Sequence, residues 1–417
     1  MKKPLQRLIS ILAKGRFATS AVLVAAMLAV SSARAQTYTK TTLHEFTGGT
    51  DGALPNTRLI MDKAGNLYGV TQTGGKFYNG TIFKVDVSGN ETVLHTFTEA
   101  PYGAGPSGRL TMDAVGNLYG VTQGDGAFNA GTVFKMDTRG KFTVLYNFNG
   151  GQYGSTPEGG LLYVEGEGSF FGTTFLGGNL NCSSSGCGIV YKLAKNSSGW
   201  TLTVLHAFNG RPDGTSPYGE LTRDAQGYLY GTTQTGGASN VGTIFKVRGR
   251  QEAVVYSFAG GSDGQFPSSG LLLDSAGNLY GTTPSGGGGR KCVGGYSNGC
   301  GTVYKVDASG HETVLYAFTG GADGAFPNDR LVTDAAGNLY GTTQQGGEKP
   351  YSGTAYEVDS TGTETVLYNF LGGKDGRFPD GLAIDAAGNL YGVTELGGLK
   401  SCLFESSCGT VFKLTPH

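Results

Sequence analysis

The chain has 417 residues, 74 of them glycine, with 11% aromatic residues and a formal charge of −1. No strict Gly-X-Y period runs through it, which excludes collagen, and the aromatic content with modest charge excludes a disordered chain. Without residues 1–35 the balance is 25 basic against 32 acidic residues, a formal −7, and no nucleic-acid partner is expected because phosphate contact needs a basic face.

In chain order, the first 35 residues differ from the rest. Lys2, Lys3, Arg7, Lys14 and Arg16 make a basic start, and Phe17–Val30 is apolar but short for a bilayer. Ala33–Ala35 supplies small residues at the spacing that signal peptidase cuts. Residues 1–35 read as a signal peptide and 36–417 as a single exported domain, periplasmic or extracellular, with no membrane span in the mature chain. A monomer is expected.

Thr41–Phe46 (TTLHEF) is the first of seven copies of one word, T-V-L-Y-x-F, ending at Phe46, Phe97, Phe148, Phe208, Phe258, Phe318 and Phe370. A second word, ending in Y-G-T/V-T, places its glycine at 69, 120, 172, 231, 281, 341 and 392. A third, G-T-V-F-K-V, opens at Gly80, Gly131, Gly188, Gly242, Gly301, Gly353 and Gly409. Each unit of about 50 residues thus carries four short strands: an apolar run such as LIMD, then NLYGVT, GTIFKV and ETVLHTF. That pattern predicts an all-β seven-bladed β-propeller with four-stranded blades.

The ends of the chain fit a closed ring. TTLHEF is a fourth strand with nothing before it, and the last unit stops at its third strand, Gly409–Leu414. If the N-terminal strand completes the last blade, no edge is left unpaired.

Between the first and second strands stands D-x-x-G-N, as at Asp334–Asn338, and between the third and fourth D-x-x-G, as at Asp86–Gly89. Asp caps backbone amides in tight turns and Gly supplies positive φ, so these aspartates read as turn caps; a calcium ligand set would need several oxygens converging. Alternation in the second strand puts Leu67 and Gly69 on one face, and the glycine is expected to permit a close approach. The third unit departs, with Glu165 and Glu167 in place of the usual turn, and reads as a drifted hairpin. Both short turns fall on one face of the disc. The long connections, second-to-third and fourth-to-first, fall on the other, where loops carry function more often than strands do.

The repeats, of the form LxxDxxGNLYGTTxxGGxxxxGTVFKVD, resemble the GloVer tandem repeats of secreted bacterial proteins over nearly all of Thr41–Leu414. The resemblance implies an exported, repeat-built β protein. It brings no established reaction and no catalytic residue to carry over. Some relatives end in a surface-sorting segment, which this chain, stopping at His417 after its last strand, is expected to lack.

The six cysteines pair locally on the long-loop face as Cys182/Cys187, Cys292/Cys300 and Cys402/Cys408, since they lie in the third, fifth and seventh units and bonded Cα atoms must come within ~7 Å. A zinc site would need two pairs, or a pair plus His, at one point. His44, His95 and His206 share one repeat position with tyrosines, which makes it a half-buried slot and not a general base. GGGG at Gly286–Gly289 leads into a cysteine loop with no Lys-Ser/Thr, so it is not a phosphate cradle. No catalytic residue, cofactor or metal is assigned.

What remains on the long-loop face is carboxylates and aromatics. The repeated G-x-D-G gives Asp51, Asp213, Asp263, Asp323 and Asp375, read as turn formers that could also ring the central opening. Acids particular to one unit are Asp125, Glu158, Glu220, Asp329, Glu348, Asp380 and Glu395. Tyr78, Tyr102, Tyr153, Tyr218 and Tyr351 stand among them as platforms suited to sugar faces or protein partners. The leading expectation is a non-enzymatic binding module for a glycan or a protein. The alternatives are a carbohydrate-active hydrolase or lyase using carboxylates on the same face, and a structural component of the envelope.

Overall fold

Seven antiparallel sheets follow one another in the computed structural model, which describes residues 37–98, 101–288, 292, 298–399, 402 and 408–417. The signal-peptide reading of residues 1–35 lies outside these residues. The first blade is formed by Ala53–Pro55 with Ile60–Met61, then Leu67–Thr73, Thr81–Val85 and Glu91–Thr96. The protein is a seven-bladed β-propeller with four-stranded blades.

The ring closes as the repeat count requires. The seventh blade holds Arg377–Ile384, Leu390–Leu396 and Thr410–Pro416, and the N-terminal strand Tyr38–Glu45 is its outer strand. That strand pairs antiparallel from Tyr38↔Pro416 to Glu45↔Thr410. No other outer strand comes from the far end of the chain.

The repeated words have local causes. One carboxylate oxygen of Asp62 accepts the N–H groups of Ala64 and Asn66, each at 2.9 Å. The other accepts the Asn66 amide at 2.7 Å and the Tyr68 hydroxyl at 3.0 Å. Asp113, Asp274, Asp334 and Asp385 do the same with their own Asn and Tyr. So D-x-x-G-N-L-Y is one hydrogen-bonded unit, with Asn and Tyr completing what Asp begins. A Cβ on Gly69 would lie 2.6 Å from the Phe83 ring and 2.8 Å from Leu59; the room belongs to the aromatic of the same blade's third strand. The threonines that end the second strand and open the third bond to each other inside six blades, as Thr71 and Thr81 do at 2.9 Å. In the third blade Ile189 stands opposite Thr174 instead. That blade's turn is a short 3-10 segment, Glu165–Glu167, and Glu167 bonds Lys192 and, from the fourth blade, Arg223, each at 2.7 Å.

Blades meet through aromatics. The Phe that ends each fourth strand is buried and stands edge-on to the third-strand aromatic of the next blade, as Phe46 to Phe83 at 5.1 Å and Phe370 to Phe412 at 5.0 Å. Such pairs add about 0.5–1.5 kcal/mol beyond area burial. Each fourth strand also carries a bulge at its Leu or Val, Leu94 in the first blade, which breaks the alternation and turns the following His or Tyr toward the seam.

There it meets the loop residue five places past the Phe and a side chain from the next blade's outer strand. Where the loop residue is Asp263 or Asp323, Tyr256 or Tyr316 donates to it at 3.1 or 3.0 Å, and Glu312 or Glu364 lies beside it. Asp51 with Glu91 and Asp213 with Glu252 repeat this beside His44 and His206. Where the loop residue is Tyr102, the partner is Phe142, on which His95 stacks at 3.9 Å, and burial pushes His95 down to about 4. Polar loop residues meet polar partners, and Tyr102 meets Phe142, while Tyr153 and Leu202 line one surface hollow. The cysteine pairs are disulfides with Cα separations of 6.0, 5.2 and 5.5 Å for Cys182–Cys187, Cys292–Cys300 and Cys402–Cys408.

Candidate functional site

Every fourth-to-first connection reaches the axis through the same device. The residue before the proline takes left-handed backbone, φ 56° to 61°, at Leu54, Gly105, Thr156, Ser216, Phe266, Phe326 and Phe378. For the six that are not glycine this costs roughly 1–3 kcal/mol each. The inner strand then breaks. In the first blade Asn56–Leu59 stand opposite only Gly69 and Val70, while the seventh blade's break is a single extra residue, Gly381. The broken segments touch around the axis: a Cβ on Gly381 would lie 2.6 Å from the Arg58 Cα.

These segments set out side chains in tiers. The first residue after the proline is Asn56, Ser107, Glu158, Tyr218, Ser268, Asn328 or Asp380. The third is Arg58, Arg109, Gly160, Glu220, Gly270 or Arg330, and the seventh blade, one residue shorter, has none. With Gln123, Gln344 and Glu395 from the ends of second strands, they line an axial cavity of about 180 Å³. Second strands end where the long connections begin, so the mouth is on the long-loop face.

The deeper tier is cationic. Glu220 Oε2 receives Arg330 at 3.1 Å, Arg58 at 3.4 Å and Arg109 at 4.0 Å, across the axis from three other blades. Burial alone would raise the Glu220 carboxyl, but the three guanidinium groups hold it below the usual range. Burial, then repulsion by Arg58, brings Arg109 down to about 10. Asp329, between the tiers, is raised to about 6 by burial against the pull of Arg58. The upper tier is acidic and protonated more readily than usual. Burial lifts Glu158 to about 7 although the Gln123 amide donates to it. Burial, then Asp329 and Glu395, raises Asp380 well above the carboxylate range. Burial, then Glu158, Asp380 and Glu395, raises the Tyr218 hydroxyl. Tyr218 stands at the rim, 37% exposed, edge-on to Phe175 at 6.2 Å.

The candidate residues therefore divide. Glu158, Tyr218, Glu220, Asp329, Asp380 and Glu395 come together on the axis. Tyr78, Tyr102, Tyr153 and Tyr351 are exposed on outlying loops, as is Glu348, and Asp125 is half-buried in a loop turn with its carbonyl accepting from Ala130 and Gly131. Asp51, Asp213, Asp263, Asp323 and Asp375 cap their loops, each accepting the N–H of the residue after the Phe. None of the five lines the axial cavity. Arg58, Arg109, Arg330, Gln123 and Gln344 escaped the sequence reading. Stacking the Pro-to-Leu segments by repeat position would have exposed the three arginines, and stacking the residue after each Y-G-T/V-T the two glutamines, because these positions vary between fixed neighbours.

The Gloeobacter/Verrucomicrobia repeat pattern matches residues 29–185, 162–294 and 290–417. The chain belongs to this repeat family. Among curated proteins, none matches the sequence. In shape this member of the Gloeobacter/Verrucomicrobia repeat family is similar to selenomethionine-substituted virginiamycin B lyase from Staphylococcus aureus. The TM-score is 0.57 at 12% identity, over 91% of this chain and 99% of that one. It is also similar to the extracellular domain of BT4673 from B. thetaiotaomicron, with a TM-score of 0.54 at 10% identity, over 91% of this chain and 40% of that one. At these identities the likeness is one of fold. Among the described residues no helix is long and apolar enough to cross a membrane.

Proposed function

We propose that the protein is an exported, non-catalytic binding module that takes a single sugar unit, free or at the end of a glycan, into the axial cavity. The observation that carries this is the lining: amides of Asn56, Asn328, Gln123 and Gln344, carboxyls of Glu158 and Asp380, and one aromatic rim, Tyr218 with Phe175. Hydroxyl-rich ligands need alternating donors and acceptors beside an apolar face. Three disulfides suit an oxidising compartment outside the cytoplasm.

The runner-up is a glycan hydrolase or lyase. Glu158 near 7 beside the cluster of Asp380 and Glu395 favours it, since a general acid works best near ambient pH. Against it, a hydrolase must span two sugars with one carboxylate ionised. Glu158 and Asp380 are both raised, and the ionised Glu220 is engaged by Arg330 and Arg58. Calorimetric titration of residues 36–417 with mono- and disaccharides tests the reading. Binding that Tyr218→Ala weakens, with no new product by mass spectrometry, supports it; product release supports the runner-up, and no heat with any sugar removes the axial site.

A further inference from the structure

The charges of the deeper tier narrow the ligand further, on the premise that the axial cavity is a sugar site. Three guanidinium groups face one glutamate, with Asp329 close by. The three are not equally engaged. Arg330 and Arg58 lie 3.1 and 3.4 Å from Glu220, and their side chains are 19% and 9% exposed. Arg109 stands at 4.0 Å, beyond hydrogen-bond reach, with its side chain 35% exposed. It lines the same cavity as Glu158 and Tyr218.

A cation so placed is repelled by Arg58 and Arg330 and attracted by Glu220 and Asp329 without a close ion-pair hydrogen bond to Glu220. A charge in a partly desolvated cavity gains from a close counter-ion, and a planar guanidinium fork matches a carboxylate with two parallel bonds. The upper tier does not oppose an anion as its composition suggests, because Glu158 and Asp380 hold protons more readily than ordinary carboxyls.

We infer that the axial cavity is specific for an acidic sugar, a uronate, whose carboxylate seats on Arg109 while its ring hydroxyls meet the amide and carboxyl tier above. Arg58 and Arg330 keep Glu220 in place and so position Arg109.

The test is titration of residues 36–417 with glucuronate, glucose and sodium sulfate at pH 6 and fixed ionic strength. Glucuronate is expected to bind at least ~10-fold more tightly than glucose, the worth of one charge-assisted bond. Arg109→Gln should erase that ratio, and Arg109→Lys should restore part of it. Removing one of three like charges around a single carboxylate relieves repulsion, so Arg109→Gln is expected to stay folded; the wild-type ratio of the two sugars stands as a test even if it does not. Equal binding of glucose and glucuronate overturns the charge recognition and leaves the sugar site standing. Sulfate as tight as glucuronate overturns it in favour of a bare anion site. No binding of either sugar overturns this inference, while the proposed function falls only if the wider mono- and disaccharide panel also gives no heat.

Discussion

At the seam between the sixth and seventh blades Lys40 reaches Asp375 at 3.0 Å, with its side chain only 4% exposed. One seam earlier, the same repeat position is Glu364, set against Asp323. The two slots share their Tyr and their Asp: Tyr368 donates to Asp375 at 2.8 Å and Tyr316 to Asp323 at 3.0 Å. Only the incoming side chain differs, and it differs in sign. The reason lies in connectivity. Glu364 arrives on a strand tied by a short turn to the rest of its blade. Lys40 arrives on the N-terminal strand, which no hairpin joins to Thr410–Pro416. An outer strand that must be recruited across the whole chain needs attraction at its seam, whereas a tethered one tolerates a pair of acids.

The comparison breaks most severely if the recruited strand is not what holds the ring. Removing residues 36–45 opens the seventh blade and is expected to cost more than ~4 kcal/mol; a melting temperature close to that of the full mature chain would refute closure as the source of stability. Next in size is Lys40→Glu, which gives the closing seam the acid pair of its neighbour. Taking one partner from a buried ion pair costs about 3–5 kcal/mol, and the loss should be larger at pH 8 than at pH 5 by denaturant titration.

The acid pairs sharpen the contrast through pH. Burial, then the adjacent Asp, holds Glu312 and Glu364 near 7 against an ordinary 4.5. A carboxyl raised on folding adds stability while both states hold the proton less unequally at low pH, so its share is fully present below about 4.5 and gone once pH passes about 7. Both side chains are partly solvated, so screening reduces the effect to about 1 kcal/mol each. Melting temperatures should fall from pH 4.5 to pH 8, and a Glu312→Gln, Glu364→Gln double variant should flatten that slope; an unchanged slope would show that the seams do not carry it. The smallest effect is expected at the axis, where Arg109→Gln should shift stability by less than ~1 kcal/mol in the same melts, because Glu220 keeps two closer partners.

Much of this was legible from residues alone. Seven recurrences of Y-G-T/V-T, G-T-V-F-K-V and T-V-L-Y-x-F, with a stray fourth strand in front and a missing one behind, dictate four strands per blade, seven blades and a head-to-tail seal. Asp62 read as a turn cap because an Asp followed by Gly three places later has few other uses. Local hydrogen bonding and short-range periodicity act within some ten residues, and a repeated sequence states them seven times over.

The axis was beyond that reach. Arg58, Arg109, Glu220 and Arg330 come from four different blades, and Glu158 was one loop acid among many until burial lifted it. Whether Asp329 meets solvent or Glu220, and whether Lys40 faces Asp375 or water, depends on how the seven units pack. Electrostatics and desolvation act through space, and only closing the ring turns positions some 50 residues apart in the chain into neighbours.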